Sequence, residues 1–266
     1  MSLYVAVALR SFRRYSTYTV ATLAGIFTNS VFAVIISFTY LAVWRQNPHA
    51  GGYDARDSLT YCWVAQAMIM TVGILNVPTT DEVATRIRTG DVAVDLYRPT
   101  SFLGWWLASD LGRAAYHLLS RGVLSMIVGG LLFDLRYPAS WWVWPVVVVS
   151  VSLGVVVSFA LRMLVASSAF WLLDQTGVQQ LSIVLSAFLS GLYVPLVLFP
   201  SWGRHVVLAL PWASYVQVPV DIWLGHRSGA GIVSGLALQA GWAVTLLLVC
   251  AAVLRLATRR VVVHGG

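Results

Sequence analysis

The chain has 266 residues, 59% of them hydrophobic and only 10% charged, with a mean hydropathy of +0.79. A water-soluble fold must cover itself with polar groups, and 17 basic and 10 acidic residues cannot cover a chain of this size. The natural solvent is lipid. The formal charge of +7 comes entirely from arginine, and the absence of lysine excludes both a nucleotide-binding P-loop and a Schiff-base amine.

Each charge at mid-bilayer costs about 2.5–3.5 kcal/mol on insertion scales, so long charge-free gaps mark membrane spans. Such gaps cover 15–44, 58–80, 137–161, 175–203 and 228–254, each longer than the roughly 20 residues that cross a bilayer. Before the first gap, Arg13-Arg14 resemble a twin-arginine signal, but the apolar stretch is too long and no small-residue cleavage site follows. The expected start is a basic interfacial helix over 3–15 leading into a retained span.

A sixth span has to be drawn back from Phe133 to Arg113, which leaves His117 and Arg121 one to two turns inside. The predicted spans are thus about 16–44, 58–78, 113–133, 141–161, 178–199 and 229–254, with no Asp or Glu inside any of them. Eleven arginines fall on the side of the termini (Arg259 and Arg260 among them) and five on the other, with Arg121 unassigned, so the positive-inside bias puts both termini in the cytoplasm. Trp141, Trp142, Trp144, Trp202, Trp212 and Trp223 then read as an outer aromatic belt.

Between the second and third spans, residues 78–90 are punctuated as a short helix over 80–88. Thr79 and Glu82 form a capping box, Asp81 and Glu82 suit the positive end of the helix dipole, Arg86 and Arg88 the negative end, and Gly90 terminates it. Val83 and Ile87 form a small apolar ridge. Such a helix rests on headgroups or docks into a soluble partner, and the spacing leaves both open. Residues 199–227 carry Pro200, Pro211 and Pro219 among short Trp-rich pieces and predict two re-entrant or interfacial helices.

The run Asp81 to Pro99 resembles the I-R-x-G-D-x-x-x-x-L-x-R-P signature of a branch of the ABC-2-type exporter permeases, and Ala108-Ser109-Asp110-Leu111-Gly112-Arg113 resembles its continuation into the third helix. Ala169-Phe170-Trp171, Ser190 to Pro195, Phe199-Pro200 and Leu210-Pro211 are similar to the family's fifth helix and outer hairpin. The resemblance implies one permease domain over 1–266 in the plasma membrane of a bacterium: an all-α integral membrane protein with six transmembrane helices, an N-terminal interfacial helix, a cytoplasmic coupling helix and an extracellular re-entrant hairpin. It implies pairing with a second permease, like or unlike, and two copies of an ATP-binding cassette subunit that carry ATP and Mg. This chain itself would hold no cofactor, catalyse nothing and bind no nucleic acid.

By the same resemblance Thr80, Asp81, Glu82, Val83, Arg86, Ile87 and Arg88 form the coupling helix, with Gly90 and Arg98-Pro99 shaping the return to the membrane. Asp81, Glu82, Asp91 and Asp95 against three arginines make that docking surface mixed in charge.

Polar stripes at helical spacing run through three spans: Thr22, Gly25, Asn29, Ala33 and Tyr40; Cys62, Gln66, Met70 and Gly73; and Gln179, Ser182, Ser186, Ser190 and Tyr193. They are packing seams or, as the resemblance implies, a route between two protomers lined by Asn29, Gln66, Ser186, Ser190 and Tyr193 that suits an amphipathic or apolar cargo. Arg121 either snorkels to inner headgroups with Asp110, Arg113 and His117 or opens into an inner vestibule. The alternative to ATP-driven export is a gradient-driven carrier or channel, for which intramembrane acids are the usual mark. Cys62 and Cys250 sit in apolar runs as packing residues, and the histidines, His264 included, are too scattered to hold a metal.

Overall fold

The computed structural model describes residues 2–75, 78–172 and 174–258, without the side chains of Thr79 and Thr258. Arg259, Arg260, His264 and the Thr79 half of the expected capping box lie outside the described residues. Within them the chain is all helix: α1 Leu3–Ser16, α2 Thr19–Gln46, α3 Ala55–Val72, α4 Pro78–Thr89, α5 Val92–Tyr97, α6 Phe102–His117, α7 Val123–Leu132, α8 Val143–Ser167, α9 Thr176–Leu189, α10 Ser201–Ala209, α11 Gln217–Leu224 and α12 Ala230–Thr258. Among the described residues four segments are long and apolar enough to cross a membrane: Thr19–Gln46, Phe102–Leu132, Val143–Phe170 and Ala230–Ala257.

The third of the expected spans starts eleven residues earlier than 113, because α6 and α7 join through a π turn at Leu118–Gly122 into one helix from Phe102. Asp110 therefore lies inside a candidate span, which corrects the expectation that no acid would. The sequence rule assumes that a span shuns charge, whereas here Asp110 and Arg113, one turn apart, neutralise each other away from lipid.

The region expected as a fifth span over 178–199 is α-helical from Thr176 to Leu189 alone, a reach of about 21 Å at 1.5 Å per residue, with a short 3-10 turn at Leu196–Leu198. Asp174 accepts from the backbone and hydroxyl of Thr176, which holds its carboxyl below the usual range. At the other end Gly191 adopts φ +89° and the Tyr61 hydroxyl donates to its carbonyl at 2.8 Å, so the backbone turns out of the helix there.

α3 is the central helix. Its N-terminus carries a reciprocal capping box, Asp57 N–H to Asp54 at 2.7 Å and Asp54 N–H to Asp57 at 3.4 Å, and Gly73 at φ +69° closes its C-terminus. From Asp57 to Val72 every residue but Met70 is buried. A helix surrounded by protein needs no all-round apolar surface, which is why α3 carries Thr60, Gln66 and Thr71.

α2 is the opposite case: Thr22, Ala33, Ser37, Tyr40 and Trp44 are buried on one seam, while Phe27, Phe32, Ile35 and Phe38 stay exposed. Its expected polar stripe is thus mainly a packing seam, with the Thr22 hydroxyl 2.9 Å from that of Tyr116. The two cysteines are buried as expected.

α8 and α12 are fastened by a polar lock that their apolar composition hides. Gln239 is wholly buried; its oxygen accepts from the Ser150 hydroxyl at 2.9 Å, and its amide donates to the Ser150 and Ser214 carbonyls at 3.0 and 2.9 Å. Replacing Gln239→Leu is expected to destabilise the chain by about 1–2 kcal/mol, the scale of a few buried interhelical hydrogen bonds. Thermal unfolding in detergent checks it, with Ser234→Ala, which bonds only within its own helix, expected to unfold as wild type does.

Candidate functional site

Residues 78–99 fold as an elbow of α4 and α5 against the ends of the long helices. Proline is compatible with the first turn of α4, where no backbone donor is required, and Gly90 at φ +82° ends the helix with open space around it. Asp95 locks the elbow: it is buried, takes Arg86 Nε and Nη2 at 2.5 and 3.0 Å, and takes Arg98 at 3.3 Å. These bonds raise the Arg86 pKa above its ordinary value, so that charge is permanent. Arg98 is extended, as the residue before Pro99 must be, and lies 5.1 Å over the Trp105 ring.

The face of α4 that points away from the body differs from the expected ridge. Val83 and Ile87 are 1% and 8% exposed and join the main core. Burying two branched side chains is worth about 1.5–3 kcal/mol each, more than an exposed ridge would recover in water, so they seat the helix on its own body. Thr85, Arg88, Thr89, Gly90 and Asp91 face outward. Asp95 is withdrawn from the expected mixed-charge surface, and Glu82 is 3.4 Å from Arg14 of α1.

Beneath α4 lies a buried ionic cluster. Asp110 is wholly buried and both its oxygens are shared between two guanidinium groups: Arg113 Nε at 2.8 Å and Nη2 at 3.4 Å, and Arg162 Nη2 at 2.8 Å and Nη1 at 3.4 Å. Arg113 also donates to the Met70 carbonyl and, at 3.1 Å, to that of Thr71, while the Ser158 hydroxyl donates to that of Val72 at 2.5 Å. Those are the orphan carbonyls at the C-terminus of α3, where the helix dipole favours a cation. Arg162 Nη1 reaches the Thr80 hydroxyl at 3.4 Å, and Asp81 accepts from Gln179 of α9 at 2.6 Å. α4 is thus tied by side chains to α8 and α9, and through Arg162 to α6 and α3. Arg113, 1% exposed, does not snorkel.

The six residues expected along a route fall in separate places. Arg121, on the π turn, donates to the Ala21 carbonyl at 3.0 Å where Gly25 leaves room for its guanidinium, and faces a cavity of about 350 Å³ that also meets Tyr18, Tyr116 and His117. Ser186 accepts from Trp212 at 3.1 Å and borders a crevice of about 30 Å³ beside Thr80 and Arg162. Ser190 is buried in the turn after α9, and Tyr193 is half exposed with its ring 5.5 Å from Phe188. Gln66 is buried on α3, and the Asn29 amide nitrogen is buried on α2 without a hydrogen-bond partner among the described residues.

At the far end of α3 a second polar network was invisible in the spacing. The Tyr53 hydroxyl donates to Asp221 at 2.5 Å, Gln217 donates to both at 2.9 and 2.8 Å, and Tyr61 donates to Gln217 at 3.0 Å. Arg136 pairs with Asp54 and Asp57, each at 2.8 Å, and Trp223 donates to the Arg136 carbonyl at 2.8 Å. Trp212 and Trp223 therefore serve internal contacts, whereas Trp141 and Trp202 are 83% and 77% exposed as an interfacial belt would require.

The signal missed in the sequence is a polar residue alone in apolar surroundings, as with Gln239, and an opposite-charge pair one turn apart, as with Asp110 and Arg113.

Neither the curated proteins nor the solved structures compared with this chain contain a match. The family model described as ABC-2 family transporter protein matches residues 30–265, which takes in α4, the Asp110 cluster and every candidate span except the start of α2. The resemblance to the ABC-2-type permeases is thereby borne out, and the chain belongs to the ABC-2 family of transporter membrane proteins.

Proposed function

We propose that this chain is the membrane subunit of an ATP-driven exporter, working as a dimer of permeases on two ATP-binding cassette subunits in a bacterial plasma membrane, with both termini cytoplasmic and six spans. The cargo is amphipathic or apolar. ATP and Mg belong to the partner, whose closure pushes on α4.

The observation that carries this reading is the mounting of α4. A helix that merely linked two spans would need no polar contacts to its neighbours. This one is bonded to α8 through Thr80, to α9 through Asp81 and to α5 through Arg86, while Thr85 and Arg88, which share a hydrogen bond at 3.3 Å, face outward where a partner would meet them. A displacement of α4 therefore displaces the ends of several long helices together. The gradient-driven alternative loses its usual support: Asp110, the acid within a candidate span, is enclosed by two arginines and has no open face for an exchanging ion.

Two outcomes test the reading. The purified chain is expected to hydrolyse no ATP, with hydrolysis and ATP-dependent movement of an amphipathic dye in proteoliposomes both appearing only when its ATP-binding subunit is added. Hydrolysis or dye movement by the chain alone would falsify it. Arg88→Glu combined with Thr85→Trp is expected to weaken capture of the ATP-binding subunit about tenfold, the effect of a reversed charge and a bulky group on a docking face. The unfolding midpoint should hardly move, since exposed positions cost within about 0.5 kcal/mol. Unchanged capture would mean that α4 is not the docking element.

A further inference from the structure

α1, the α4–α5 elbow and the start of α6 enclose a cleft of about 700 Å³. Arg10, Arg13 and Arg14 stand along one wall, Arg86 and Arg98 along the other, against Glu82 and Asp95. The elbow arginines are held rigidly by Asp95, and Arg14 meets Glu82, but Arg10 and Arg13 have no ion-pair partner among the described residues. The cleft is left with a surplus of positive charge converging from two elements.

The setting identifies what neutralises it. On α1, Val5 and Leu9 are 47% and 45% exposed on one flank, while Arg10 and Arg14 project from the other, the arrangement of a helix lying along a membrane surface. Arg98 stacks on Trp105, a ring that favours headgroup depth. An acidic protein segment would match the charge but leave the apolar flank uncovered, whereas a lipid satisfies both.

We propose that this cleft is a binding site for the phosphate headgroup of an anionic phospholipid of the inner leaflet, held between α1 and the elbow of α4 and α5. The proposal rests on the reading that the α4 side is cytoplasmic. An occupied cleft joins α1, which packs on α6 through the close approach of Ala8 to Gly112, to the helix that receives the partner's push.

The test uses the full chain in detergent, with phosphatidylglycerol and phosphatidylcholine titrated separately and retained lipid read by native mass spectrometry. It needs neither ATP nor a partner subunit, so its failure is distinguishable from failure of the transport reading. Phosphatidylglycerol is expected to bind in preference to phosphatidylcholine. Arg10→Gln with Arg13→Gln should weaken it about thirtyfold, the effect of two interfacial arginines, while Arg10→Lys with Arg13→Lys retains most of it. Arg45→Gln with Arg204→Gln removes the same charge elsewhere and should change nothing.

Equal retention of the two lipids, no loss in the Arg10/Arg13 glutamine variant, or an equal loss in the Arg45/Arg204 variant would overturn the site. Displacement of the lipid by inorganic phosphate alone would assign the cleft to free phosphate instead. If the double glutamine variant does not fold, Arg13→Gln alone is judged by the same outcomes, with a loss of several-fold expected.

Discussion

A carboxylate that folding removes entirely from water must be answered by positive charge, and in this protein Asp110 is answered twice. Arg113 comes from its own helix, one turn on, and Arg162 from α8. Removing Asp110 would leave Arg113 and Arg162 uncompensated beneath α4, a loss of about 3–5 kcal/mol, so the relative position of α6 and α8 is narrowly determined. Arg113 spends its remaining donors on the last carbonyls of α3, and Arg162 reaches Thr80. One acid therefore sets the register of α3, α6 and α8 and the seat of α4.

The opposite end of α3 is organised in the same manner with different chemistry. Tyr53, Gln217 and Asp221 form a closed hydrogen-bonded group that holds α11 against α3, and Asp54 and Asp57 cap α3 while pairing with Arg136. α3 thus runs between a cationic clamp and an acidic one. Between them it packs through Cys62, Val64, Ala65, Met68 and Ile69 in the main core and through the wholly buried Trp63.

Much of the architecture was legible because lipid punishes charge so steeply. The charge gaps located α2, α8 and α12, proline and glycine located the α4 helix, and the outer prolines located α10 and α11. What was illegible followed from the same rule applied too strictly. Asp110, Arg113 and Arg162 were read as charges at or beyond the membrane edge because pairing across helices 52 residues apart leaves no local trace. Val83 and Ile87 have the spacing of a face, but spacing does not say whether a face looks inward or outward. The polar stripe of α9 turned toward α4 and α8, where Gln179 and Ser186 border a small crevice, for the same reason.

The central claim is that force applied at α4 reaches the long helices through the Asp110 cluster. Arg162 is the residue to remove, because Asp110 keeps Arg113 and the buried carboxylate stays paired. The decisive measurement is the amount of amphipathic dye moved per ATP hydrolysed by the reconstituted complex carrying Arg162→Met. The account predicts that hydrolysis continues while dye movement per ATP falls about tenfold or more, the effect of breaking a coupling of 1.4 kcal/mol or above. An unchanged ratio in a folded complex would contradict it.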